Sequence, residues 1–128
     1  MGKTIAGLLV VVGIIHLLPV SGILGAERLS VLYGVSFSEP NIEILMRHRA
    51  ILFGLLGLFL IYAAFQPSLR AMAIVAGLVS TVSFIAIAWS SGGYNAAIGK
   101  VVIADIVAVA ALIIAGVIHI FGRRWSGN

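Results

Sequence analysis

Seven residues carry most of the chain's chemistry: His16, Glu27, Arg28, Glu43, Arg47, His48 and Asp105. They lie in or beside long apolar runs, where an ionised side chain costs about 2.5–3.5 kcal/mol on insertion scales. Their positions are therefore informative. Asp105 lies five residues beyond Lys100, about 7.5 Å further along a helix. His16 precedes the end of the first run by eight residues, a depth of about 12 Å. Arg47 and His48 open the apolar part of the second run. Arg47, Ala50, Gly54, Gly57 and Ile61 share one helical face. Its small residues admit a neighbouring helix closely. The same spacing points Arg47 into a bundle and sends Arg49, on roughly the opposite side, to the head groups. The sharpest expected pair is Arg47 with Asp105. A guanidinium facing that carboxylate would satisfy its charge and fix the register of two helices. His16 is expected to join this network or to bind a ligand carbonyl.

The rest of the chain must position these groups in a membrane. Of its 128 residues, 62% are hydrophobic and 9% charged, whereas a soluble domain carries about 25% charged residues. Four apolar runs, near 4–24, 44–65, 69–90 and 97–121, have the length of about 20 residues that a crossing needs. The N-terminal run has some features of a secretory signal, but three more apolar runs follow it, which makes it a retained first helix. The net charge of +4 sits at run ends, a membrane-flank pattern rather than a nucleic-acid footprint. The absence of cysteine excludes disulfides, thiolate metal sites and cysteine nucleophiles. His16, His48 and His119 share no local motif, so no metal triad is expected.

Local signals divide the chain further. Pro19 kinks the first helix or ends it early. Residues 26–33, AERLSVLY, suit a short interfacial helix that Gly34 stops, with Leu29, Leu32 and Tyr33 toward the membrane and Glu27 and Arg28 toward water. Ser38 or Glu39 caps the next helix, with Pro40 in its first turn and Glu43 placed to pair with Arg47. Ser68 and Asn95 suit the caps of the last two helices. Ala73, Gly77, Ser80 or Thr81, and Phe84 form a small, weakly polar seam. Tyr62, Trp89, Tyr94 and Trp125 read as interface anchors. Short connections then imply an all-α, up-down four-helix membrane bundle forming a single domain over 1–128. In that topology the end of the first helix and the starts of the second and last share one leaflet, where all seven residues converge. Lys3, Arg70, Arg123 and Arg124 balance Arg28, Arg47, Arg49 and Lys100 across the membrane. Discounting Arg47 as inward-facing puts both termini in the cytoplasm.

PVSGILGAERLSVLYGV followed by EPNIEILMRHRAILFGLLG resembles a family of small bacterial four-helix integral membrane proteins. The layout is also similar to that of DoxX-like membrane proteins, some of which associate with quinone-linked oxidoreductases. The resemblance implies a bacterial cytoplasmic membrane. Chains of this kind sometimes carry the label phosphopantetheine adenylyltransferase, a soluble nucleotide-binding α/β enzyme. Its histidine-bearing phosphate motif follows a first strand, and this sequence offers no strand or glycine loop for that motif to map onto.

The expected function is non-enzymatic. A lipid, isoprenoid or quinone-like molecule would bind a polar pocket of one leaflet, with Arg47 on its head group and Asp105 and His16 orienting it. Two rivals stay open. One is an accessory subunit of a redox or transport complex, whose glycine seams meet a partner helix or a second copy. The other is a small membrane enzyme or proton-coupled carrier using His16 and Asp105. The expected partners are the bilayer and such a subunit, with no nucleic acid, and no cofactor beyond a bound quinone or lipid.

Overall fold

The computed structural model describes residues 1–126, with side chains through Arg124, so the anchor role of Trp125 lies outside the described residues. Among the described residues five α-helices run in chain order: α1 (Gly2–Leu17), α2 (Ala26–Tyr33), α3 (Pro40–Ala64), α4 (Arg70–Ser91) and α5 (Ala96–Ser126). No strand occurs among the described residues. Pro19 does not stop the first run outright. The α-helix ends at Leu17 and the chain continues as a 3-10 helix, Leu18–Leu24. With that extension, four helical segments among the described residues are long and apolar enough to cross a membrane: Gly2–Leu24, Pro40–Ala64, Pro67–Ser91 and Ala96–Arg124.

The long helices pack in a ring. α1 contacts α3 and α5, and α4 contacts the same two, which leaves α1 opposite α4 and α3 opposite α5. Neighbours run antiparallel: Gly13 meets Gly57 and Gly22 meets Ala50, while Gly77 meets Leu112 and Ile74 meets Gly116. The buried core comes from Leu9, Val12, Leu60, Ala73, Ala108 and Leu112, among others. The outer surface is apolar too, with Leu45, Leu55, Val75 and Ile103 all exposed. That arrangement suits a lipid-facing surface and not a water-facing one.

The small face of α3 does what its spacing foretold. A Cβ on Gly57 would lie 2.8 Å from the Gly13 carbonyl oxygen, and one on Gly13 would lie 2.9 Å from that of Gly57. The two backbones touch, so neither position has room for a methyl group.

Caps and turns follow local chemistry. Gly25, at φ 132°, separates the 3-10 segment from α2, and Gly34 ends α2 in the left-handed region at φ 66°. Asn95 starts α5 by accepting the Ile98 N–H at 2.8 Å, and its amide donates to the Tyr33 carbonyl at 2.8 Å. One side chain thus ties the end of α2 to the start of α5. Glu39 is the cap of α3, accepting from the backbone N–H groups of Asn41 and Ile42. Ser68 does not cap α4. A 3-10 turn, Pro67–Leu69, leads into that helix, and Arg70 instead donates to the Ala64 carbonyl at the end of α3.

The interfacial assignment of α2 needs one correction. Its boundaries are as expected and Glu27 and Arg28 are exposed, but Leu29 and Tyr33 are buried in the protein beside Phe37. The apolar face of α2 therefore lies on the bundle and not in lipid. Packing wins because Met46 of α3 and Ile98 and Val101 of α5 offer an apolar bed.

Gly13→Ala and Gly57→Ala should each lower the melting temperature in detergent, at an overpacking cost of about 1–3 kcal/mol. Gly7→Ala, where an added methyl group would meet nothing within 4 Å, should not. Equal effects at all three positions would contradict the close α1–α3 approach. A second outcome concerns pH. The two backbone N–H donors hold the Glu39 carboxyl below its usual range. A depressed folded value means that the cap's contribution is complete above the ordinary carboxylate range and is lost as pH falls through the lower folded value. Amide protection factors at the start of α3 should drop over that interval in wild type and show no such step in Glu39→Gln.

Candidate functional site

Arg49 organises the polar end of the bundle. It stands four residues before Phe53, on the face of α3 that continues through Leu56 to buried Leu60. Its guanidinium carbon lies 4.4 Å from the Phe53 ring centroid, 5.4 Å from Tyr33 and 5.6 Å from Phe84. Its Nη1 donates to the Tyr33 hydroxyl at 2.6 Å. Three aromatic rings, from α2, α3 and α4, thus surround one cation within reach of their negative faces.

This reverses the expected roles of the two arginines. Arg47, half-exposed, donates from Nε to the Ile23 carbonyl at 2.8 Å and sits 3.7 Å from Glu43. It does head the small face of α3, but that face packs on α1, whereas Asp105 is on α5 across the ring. Arg47 meets a carbonyl at the end of the 3-10 segment and cannot reach the acid. The Arg47–Asp105 pairing is therefore incorrect, and so is the outward path expected for Arg49. Arg49 is the arginine that lines one cavity with Asp105. No nitrogen–oxygen contact within 4.0 Å joins the two among the described residues.

The space between them is a cavity of about 290 Å³. His16, Tyr33, Arg49, Phe53, Lys100 and Asp105 supply its polar and aromatic wall. Leu18 and Val31, 64% and 70% exposed, form an apolar rim. The walls come from α1, α2, α3, α5 and the 3-10 segment, so α2 closes one side as a short cover. Of the seven expected site residues, His16 and Asp105 meet in this cavity. Glu27 and Arg28 border a separate hollow with Leu24 and Val31. Glu43 and Arg47 form their own helix pair, and His48 is exposed. Arg49, Tyr33, Phe53 and Lys100 complete the site. Sequence reasoning missed these four as site residues; the four-residue spacing of Arg49 and Phe53 could have marked their shared face.

His16 is a structural link more than a free donor. It is 2% exposed, with Nδ1 2.9 Å from the Val12 carbonyl and Nε2 3.0 Å from the Ser80 hydroxyl. A carbonyl can only accept, so Nδ1 carries the proton and donates; in the neutral ring Nε2 then accepts from Ser80. The bond crosses the ring from α1 to α4. The His16 ring also lies 5.7 Å from Phe53, placing an imidazole face on the cavity wall. No cluster of three or more metal-ligating side chains occurs among the described residues. At the opposite end, buried His119 Nε2 has no hydrogen-bond partner among the described residues. The buried stretch Asp105, Ala108, Leu112 and Ala115 separates it from this cavity along α5.

Nitrogen NMR should find His16 as the Nδ1-protonated tautomer. Ser80→Ala should shift the Nε2 resonance and destabilise the fold by about 1–3 kcal/mol, because it strands a buried acceptor. An Nε2-protonated ring that ignores Ser80→Ala would contradict the arrangement. No family model, curated protein or solved structure matches the chain.

Proposed function

We propose that the chain is a multi-pass membrane protein that binds a lipid, isoprenoid or quinone-like molecule by its head group in the cavity beside α2. In this reading the four long helices cross the bilayer as an up-down bundle and α2 lies near one interface. The observation that carries the proposal is the cavity itself: a small, mostly apolar chamber with Arg49 and Asp105 in its wall, rimmed by exposed apolar side chains. Binding pockets for small molecules run from about 300 to 1,000 Å³. A volume near the lower bound suits a head group whose tail lies outside, along Leu18 and Val31. A chain free in water would gain nothing from such a rim, whereas at a membrane it offers a lateral entry for an amphiphile.

The rival readings find less support. The glycine seams that were to receive a partner helix are occupied within the chain, Gly57 by Gly13 and Gly77 by Leu112. A proton carrier built on His16 would have to break the bonds to Val12 or Ser80 that both ring nitrogens already make. The inward exchange of Arg47 for Arg49 leaves the charge count across the membrane unchanged, so the orientation with cytoplasmic termini, in a bacterial cytoplasmic membrane, stays part of the proposal.

Mass spectrometry of protein extracted in a mild detergent tests this reading. A specific amphiphile should accompany wild type and Arg47→Gln. Its yield should fall about tenfold or more in Arg49→Gln, as expected for losing a charged hydrogen-bond partner. Equal lipid profiles in all three would refute the pocket. A protein recovered at fixed stoichiometry with no enriched amphiphile would favour the accessory-subunit reading.

A further inference from the structure

Asp105 has an unmet need that narrows the ligand. The residue is 8% exposed and lines the cavity. None of the described residues donates a hydrogen bond to its carboxyl group, and Arg49 lines the same cavity without an ion pair to it. The neighbouring groups cannot easily turn to it. His16 uses both ring nitrogens elsewhere, and Arg49 is stacked among rings and bonded to Tyr33. Lys100 is exposed, five residues nearer the start of α5. Its carboxyl oxygens open onto the cavity, so the donor that the protein does not give them comes from whatever occupies the chamber, water or a ligand.

We propose that the head group bound here carries a hydroxyl that donates to Asp105, beside an acceptor oxygen that meets Arg49 or Lys100. This rests on the reading of the cavity as an amphiphile site and makes it more specific. The class is a hydroxyl-bearing amphiphile, such as a hydroquinone or a glycerol monoester. The corresponding quinone, or the glycerol monoester with both hydroxyls methylated, keeps the acceptor oxygens but has no hydroxyl proton to give. Lys100 and Arg49 would hold the acceptor side while Asp105 selects the donor.

Two matched probe pairs test this with the full chain in nanodiscs. One is a decyl-hydroquinone, kept reduced with dithionite, against its decyl-quinone; the chain has no cysteine for the reductant to disturb. The other is monooleoylglycerol against its dimethyl ether. In at least one pair the hydroxyl-bearing member should bind about tenfold more tightly, the scale of one hydrogen bond to a charged group. Asp105→Leu should bring the pair level, and Asp105→Asn, which retains an acceptor oxygen, should keep part of the preference. Members that bind equally in wild type, or a preference for the quinone or the diether, would overturn the inference while leaving the pocket intact. A preference that survives Asp105→Leu would also overturn it, by placing the donor elsewhere. Failure of all four probes to bind would overturn both the inference and the amphiphile site on which it rests.

Discussion

A guanidinium inside an apolar span needs a substitute for water, and the fold around Arg49 supplies one. Three ring faces and a phenol oxygen surround the cation. Those rings come from three different helices, so enclosing the charge also sets where the helices lie. Tyr33 contributes both a ring and a hydroxyl, which holds α2 against the bundle even though α2 is only 8 residues long. Isolated helices of that length are not stable in water or at its edge without such contacts. The cavity exists because α2 is held over it. Arg49 is therefore both a wall of the chamber and, with the Asn95 bond and the packing of Leu29, one of the contacts that hold α2 over it.

The ring of helices is spanned along both diagonals at this end. His16 and Ser80 bridge α1 to α4 by a direct bond, and Arg49 and Asp105 face each other between α3 and α5 across open space. Below them, α1 meets α3 at Gly13 and Gly57, and Leu112 is seated against Gly77. Tight packing there fixes the helix axes. The polar end can then stay partly unfilled, with charges held apart instead of collapsing into a salt bridge.

Much of the scaffold was legible in the residues. The four apolar runs, the short helix from Ala26 to Tyr33 stopped by Gly34, the Glu39 and Asn95 caps and the close face at Gly57 all follow from local rules of spacing and capping. The site was legible only in part. Asp105 and His16 were marked by their depth alone, and they do line one cavity. The choice of arginine failed because α3 is packed on two faces. Spacing identified the small face headed by Arg47 but not which helix would cover it. That helix is α1, which places Arg47 beside the Ile23 carbonyl, while Asp105 lies on the diagonal neighbour. The inward turn of Tyr33 was also out of reach, since periodicity separates the two faces of a short helix without telling lipid from protein.

Energetic coupling between Arg49 and Phe53 is the most direct measure of the central claim. A double-mutant cycle with Arg49→Gln and Phe53→Leu, read as unfolding free energy in detergent, should give a coupling of about 0.5–2 kcal/mol. The same cycle with Arg47→Gln and Phe53→Leu should be additive. Additivity in the Arg49 cycle, or coupling in the Arg47 cycle instead, would contradict the enclosed guanidinium on which the cavity depends.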